Sequence, residues 1–219
     1  AYGLSSAFQQ TLDIFQDSSF QTNEFYDTNG TTHLFPINAA SDQRGLGSGA
    51  YSFIDKVKSC AQILANTDAI ITGTEIGGFD THTGQVTLGS TQLGSHANLL
   101  RRVAWAYYAL WRYFSNPAYN AQSKNMWNDV VIVTMSEFGR TSAENASVGT
   151  DHAEASVMYV AGGGVNGGVY GCDLNPNPKL GALNWDPGTG IKNGSLFGAN
   201  TNVGYLKRSI DYRSVVGEI

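Results

Sequence analysis

The run DVVIVTM (residues 129–135) most restricts how this chain folds. Its β-branched residues follow one another without a polar alternation, so a strand made from them is apolar on both faces. Such strands belong in sheets that are covered on both sides. ASVMYVAGG (155–163) reads the same way. DAIITGTEIG (68–77) is a third short β-branched run, read as a buried strand that leads directly into Gly77, Gly78 and Asp80. Helical periodicity lies between these runs, and the order helix, strand, helix, strand, strand predicts an α/β fold, a layered domain with a largely parallel sheet.

Two helices are plain from spacing. SFIDKVKSCAQILAN (52–66) puts Phe53, Val57, Cys60 and Leu64 on one face. HANLLRRVAWAYYALWRYFSN (96–116) repeats Leu99, Leu100, Val103, Tyr107, Leu110, Trp111 and Phe114 at helical intervals, with Ser95 placed to cap it. LSSAFQQTLDIFQ (4–16) predicts a shorter amphipathic helix through Phe8, Leu12 and Phe15. Residues 17–50 and 116–128 read as loops, and DYRSVVGEI (211–219) as a helix beginning. The expectation is one α/β domain: 1–50 peripheral, 51–170 core, 171–219 mostly irregular. The chain starts at Ala1 rather than Met and is expected to be a fragment of a longer domain.

Composition narrows the function classes. Charged residues are 14% of the chain, against about a quarter in an average protein, and the net charge is −5. No basic run is present, which argues against nucleic-acid binding, since that needs a positive surface. No apolar run reaches the roughly 18 residues of a membrane span. Solubility carried by neutral polar residues points to a periplasmic or secreted location. Cys60 and Cys172 are either a disulfide or two free thiols.

Three polar clusters interrupt this chain. GGFDTHTGQ (77–85) carries Asp80 and His82, SEFGRT (136–141) carries Glu137 and Arg140, and GTDH (149–152) carries Asp151 and His152. The first two follow predicted strands, where α/β sheets bind ligands. If those strands are parallel neighbours, Asp80, His82 and Glu137 meet, and the following loop folds back to add Asp151 and His152. Mixed carboxylate and imidazole ligands suit zinc first, then manganese or iron, and calcium or magnesium less well. A cation also offsets the repulsion among clustered carboxylates.

Each cluster has a plainer alternative. Asp80-Thr81-His82 can be an Asx turn, Glu137 can pair with Arg140, and Thr150-Asp151 can cap a helix. His96 is either a surface residue or an anion contact at a helix start. GGGVNGG (162–168) matches a dinucleotide fingerprint in letters only, because no helix follows it. The sequons at Asn29, Asn145 and Asn193 are expected by chance.

Taken together, GGFDTH…Q, the helix with H..LL, VVIVTMSEFGRT.EN, GTDH, GGGV.GG.YG and DYRSV resemble a bacterial family, domain of unknown function 1501. That family is related to the alkaline phosphatase and sulfatase superfamily. The resemblance runs from about residue 50 to the C-terminus. It implies export, often by the twin-arginine route, and an α/β/α sandwich with metals at the strand ends. By resemblance, Asp80 and His82 stand for the superfamily's Asp-xxx-His pair, Glu137 for the Asp of its Asp-His pair, and His152, with Asp151, for the last His. The chain departs from that pattern in four places, one of them Ala153, which replaces the glycine that usually follows GTDH. One residue rather than three separates Asp80 from His82, Phe138 stands where a His is usual, and no upstream nucleophile is recognisable.

Two functions follow as expectations. The first is a metal-dependent hydrolase of phosphate or sulfate esters, acting on a small anionic substrate. Asp80, His82, Glu137, Asp151 and His152 are its ligands, and Arg140 clamps the anion or orients Glu137. The nucleophile is Thr81, Ser136 or, preferred, a water made acidic by the metal. The alternative is a non-catalytic exported structural or surface-binding protein that retains the fold.

Overall fold

In a computed structural model of the chain, the two long helices form where periodicity predicts them. The structure describes residues 24–168 apart from 91, 121 and 142, together with 9, 12, 13, 16, 170 and 210–219. Helix α1 spans Tyr51–Asn66 and α2 spans Ser95–Ser115. A short α3, Tyr212–Gly217, begins where the C-terminal sequence predicts a helix; the Asp211 side chain caps it by accepting from the Arg213 N–H. Most of the predicted N-terminal helix, Cys172 and most of the last fifty residues lie outside the described residues. Cys60 is a free thiol, and burial raises its pKa.

The buried faces differ from those that spacing selects. Helix α1 buries Ile54, Val57, Ala61 and Ala65, one position round from the Phe53, Cys60 and Leu64 stripe. Helix α2 buries Leu99, Ala106, Ala109, Tyr113 and Phe114, while Leu100 and Trp111 face solvent. In both helices the inward stripe contains alanines, which let neighbouring chain approach closely. The hydroxyl of Ser95, the first residue of α2, donates to the Gly84 carbonyl at 2.9 Å.

The chain divides into two compact units. The first comprises residues 1–78 and 98–130. Its core is aromatic: Phe25, Phe35, Tyr113 and Tyr119 meet edge to face or tilted, at centroid distances of 4.9–6.0 Å. Irregular backbone supplies much of it, with Phe25, Leu34, Phe35 and Leu46 all buried. Helix α2 holds this backbone through polar tips. The Trp105 indole donates to the Leu34 carbonyl, and the Tyr108 hydroxyl to Asp27, which also pairs with Arg112. Asp42 accepts the N–H groups of Leu46 and Gly47 and closes the loop before α1.

The second unit comprises residues 79–97 and 131–219. Its described residues form four short strands: β1 (Val131–Val133), β2 (Gly139–Arg140), β3 (His152–Ala153) and β4 (Val160–Gly162). They form two separate antiparallel pairs. β1 pairs with β4, with Ile132 opposite Ala161, and β2 pairs with β3, with Arg140 opposite His152.

This overturns the expected α/β/α sandwich with a largely parallel sheet. Parallel neighbours need a crossover of a dozen or more residues, usually helical. The described residues between β1 and β4 contain no helix and include the β2–β3 pair, and β4 returns antiparallel. The run at 68–77, expected as a buried strand, forms no ladder with another segment among the described residues, and Ile70 and Ile71 are 89% and 84% exposed. High β propensity describes how well a residue suits a pleated, covered surface, and without sheet neighbours it does not make a strand. Among the described residues no helix is long and apolar enough to cross a membrane.

Burial therefore predicts opposite outcomes for two aliphatic residues of the first unit. Leu34→Ala removes a fully buried side chain and is expected to cost about 2–5 kcal/mol. Ile71→Ala, at an exposed position, should stay within about 0.5 kcal/mol of wild type. Urea unfolding of the two variants measures both.

Candidate metal centre

Two loops of the second unit are laced together by backbone. The N–H groups of Gly84 and Gln85 donate to the carbonyls of Ser147 and Val148, and Thr150 N–H donates to the Thr81 carbonyl, at 2.8–3.1 Å. Gly149 allows this approach, because a Cβ there would lie 2.2 Å from the His82 carbonyl oxygen. Val148, a β-branched residue, is held at φ +58°, a strained conformation at the turn that delivers Thr150, Asp151 and His152.

A buried polar network lies beneath the surface of this joint. The Thr81 and Thr150 hydroxyls both donate to Gln85 Oε1 at 2.6 Å. Thr150 Oγ1 in turn accepts from Arg140 Nε at 3.0 Å, and the Thr150 carbonyl accepts from Arg140 Nη2. The guanidinium is thereby fixed, with the side chain only 14% exposed, and Nη1 is aimed at Asp80 Oδ1, 2.6 Å away.

That oxygen is the focus of the site. His152 Nε2 donates to it at 2.8 Å, and His82 Nε2 lies 3.0 Å from it. Asp80, His82 and His152 each offer one donor atom, and all three atoms lie within 4.8 Å of one another. The other nitrogen of His82, Nδ1, is bonded to Asp151 Oδ1 at 3.0 Å. Asp151 is held by the Asn145 amide at 3.2 Å, which also donates to the His82 carbonyl. The Asn145 side-chain oxygen accepts from the N–H groups of Ser147 and Gly149. The ring of His152 stacks on Phe138, with centroids 4.2 Å apart and planes 10° apart, and on His82 at 4.9 Å.

Both carboxylates are held ionised. The His152 hydrogen bond lowers the pKa of Asp80 most; burial opposes it, and the Arg140 bond and the nearby imidazoles lower it further. The His82 and Asn145 bonds do the same for Asp151. His96, half-buried beside Phe79, has its pKa lowered by burial and then by the charge of Arg140.

The donor set fits a divalent ion. Two imidazoles and one carboxylate are a known catalytic zinc set and also the facial set of non-haem iron. Zinc bonds of about 2.0–2.1 Å at tetrahedral angles separate donor atoms by about 3.3 Å. The 2.8 and 3.0 Å separations at Asp80 Oδ1 are within about half an ångström of that. Both ring nitrogens of His82 face carboxylate oxygens, Nδ1 that of Asp151 and Nε2 that of Asp80. A proton or a metal cation between Nε2 and Asp80 makes that second contact favourable.

Of the residues chosen from sequence, Asp80, His82 and His152 come together as donors, and Asp151 lies behind His82. Glu137 is exposed and contributes no oxygen to the three-residue group. Arg140 pairs with Asp80, so it neither orients Glu137 nor stands free as an anion clamp. The Thr81 hydroxyl is buried and committed to Gln85. The Ser136 hydroxyl donates to the Phe138 carbonyl at 2.6 Å. Asn145, Gln85, Thr150 and Phe138 were not selected as site residues from sequence. Asn145 is marked in the sequence only by a sequon and by the EN of the family motif, and its amide is occupied by the site.

The family described as "Protein of unknown function (DUF1501)" matches residues 60–173, just over half of the chain and every residue of this site. The chain belongs to the DUF1501 family. No curated protein and no solved structure matches it. Within this DUF1501 chain, the matched region carries β1 to β4 and both laced loops.

Two outcomes follow. Gly149→Ala should separate the loops and abolish the His82–Asp151 contact, visible as changed histidine ring signals by NMR. The lowered pKa values of Asp80 and Asp151 stabilise the fold above the ordinary carboxylate value of about 3.9, and that contribution is lost as pH falls through their lower folded values. Asp80→Asn should therefore flatten the acid limb of the stability curve below about pH 4, as followed by thermal melts.

Proposed function

We propose that this DUF1501 protein is a metal-dependent hydrolase of phosphate or sulfate esters, working in the periplasm or outside the cell. The observation that carries the reading is the facing of His82 Nε2 and Asp80 Oδ1 across 3.0 Å while Asp151 holds the opposite nitrogen. Asp80, His82 and His152 would hold the ion, zinc first, with manganese, iron or calcium as alternatives. When bound, such an ion polarises an ester oxygen and makes a water acidic near neutral pH.

The chain's own residues prepare that chemistry. Asp151 selects the tautomer that leaves His82 Nε2 free to bind, as carboxylate partners of metal-bound imidazoles do. Arg140 keeps Asp80 ionised and fixes its oxygen. To hold an ion at Nε2, His152 would have to give up the proton it donates to Asp80 there, either to its own Nδ1 or to solvent. Water is the nucleophile in this reading, because the hydroxyls of Thr81 and Ser136 are engaged in backbone and side-chain bonds. About half of each donor side chain is exposed, which leaves a side open to a small anionic ester. The ester class rests on the motif resemblance to the phosphatase and sulfatase superfamily.

A second reading, a non-catalytic surface-binding protein, is favoured by the exposed Ile70, Ile71 and Leu88.

Elemental analysis after dialysis against zinc is expected to find one metal ion per chain. Asp80→Ala combined with His152→Ala should lose it, with far-UV circular dichroism unchanged. Stoichiometric metal in that double variant would show that the ion is held elsewhere. Turnover of an aryl phosphate or aryl sulfate that a chelator stops supports the hydrolase, while metal-free protein without turnover supports the binding protein.

A further inference from the structure

The two imidazoles of the site are oriented by different means. His82 is held at both ring nitrogens, Nδ1 by Asp151 and Nε2 by Asp80. His152 has one polar contact among the described residues, from Nε2 to Asp80. A single hydrogen bond leaves an imidazole free to tilt about its axis. The plane of His152 is supplied instead by Phe138, whose ring lies 4.2 Å away and within 10° of parallel. We infer that Phe138 is a positioning residue: its ring face sets the plane of His152, keeps Nε2 turned to the shared oxygen of Asp80, and thereby sets the affinity of the centre for a metal.

The strand register explains how a phenylalanine comes to do this. In the β2–β3 pair Arg140 is opposite His152. Phe138 precedes β2 by one residue and stands two before Arg140, so it is the diagonal neighbour of His152, within reach of an aromatic ring. Gly139 brings the strands together, since a Cβ at that position would lie 1.8 Å from the Ala155 carbonyl oxygen. Phe138 is itself restrained. Its carbonyl accepts the Ser136 hydroxyl, and the Arg140 guanidinium carbon lies 5.7 Å from its ring centroid. The guanidinium that holds Asp80 thus also sits against the ring that holds His152, and Asp80 and His152 are aligned as a pair.

The affinity half of this inference rests on the metal reading above; the ring-plane half stands on the contacts alone. Two measurements separate them. The chain has four histidines, so ring signals of ¹³C-labelled histidine are resolvable, and His152→Gln identifies the one that matters. In metal-free protein the His152 ring protons should be shielded by the Phe138 face. Phe138→Leu, which keeps apolar bulk without a ring plane, should move them downfield and leave His33 unmoved, while Phe138→Tyr restores them. Unmoved His152 signals in Phe138→Leu overturn the stack. For affinity, competition for Zn²⁺ with a chromophoric chelator should show Phe138→Leu weakened about tenfold, the lower range for a residue that supports a ligand. Phe138→Tyr should stay within about twofold of wild type, and the visible spectrum of the Co²⁺ form should broaden only in Phe138→Leu. Wild-type affinity in Phe138→Leu overturns the role in metal binding. Wild-type protein that takes up no metal overturns the metal reading and this affinity half together, and the NMR result then decides the stack by itself.

Discussion

One carboxylate oxygen organises the second unit. Asp80 Oδ1 receives Arg140 and His152 and faces His82, so groups from three separate stretches of chain converge on a single atom. The dependence runs both ways. The Arg140 side chain is only 14% exposed, and a guanidinium that far from water needs an anion beside it. Asp80, in turn, stays ionised because His152 and Arg140 donate to it. Removing Asp80 would leave Arg140 without its charge partner and His152 without the one polar side-chain contact it has among the described residues.

Backbone geometry decides which side chains reach that oxygen. The register that sets Arg140 opposite His152 gives the two donors a common face. Gly139 and Gly149 are required by space, since a Cβ at either would overlap a carbonyl of the facing chain. The Thr81–Gln85–Thr150 hydroxyl and amide network then ties the second loop to the first from below. Asn145 does the same from the side, spending its oxygen on its own turn and its amino group on Asp151 and the His82 carbonyl.

Chemistry-bearing residues were easier to read from sequence than the architecture that joins them. Asp80, His82, Asp151 and His152 stand out because carboxylates and imidazoles are scarce in so weakly charged a chain. Helices α1 and α2 stand out because their periodicity persists for four turns or more. Their buried faces do not, since Ala61, Ala106 and Ala109 signal close approach through smallness, which a count of large apolar residues passes over. The parallel sheet failed on a point already present in the sequence: nothing between residues 134 and 159 has the length and period of a crossover helix. Glu137 was drawn in by that same error. With the strand ends no longer converging, its neighbour Phe138 is the residue stacked on His152. Asn145, Gln85 and Thr150 follow no pattern of spacing, and only the lacing of the loops gives them their roles.

The distribution of burial bears on why such a site is built. Asp80, His82, Asp151 and His152 have side chains 47–57% exposed, and ion pairs that open to water contribute little to stability. Beneath them Thr81, Thr150 and Gly149 are buried, Arg140 is nearly so, and Val148 is held in a strained conformation. A fold seeking only stability would fill those buried positions with apolar side chains and let the exposed charges move freely. Here buried polar groups and strain are maintained to keep exposed groups in register around one oxygen. That pattern is expected where the exposed groups must meet a ligand in fixed geometry, and in the metal reading proposed above a cation would sit between the anionic oxygen of Asp80 and the His82 nitrogen that faces it.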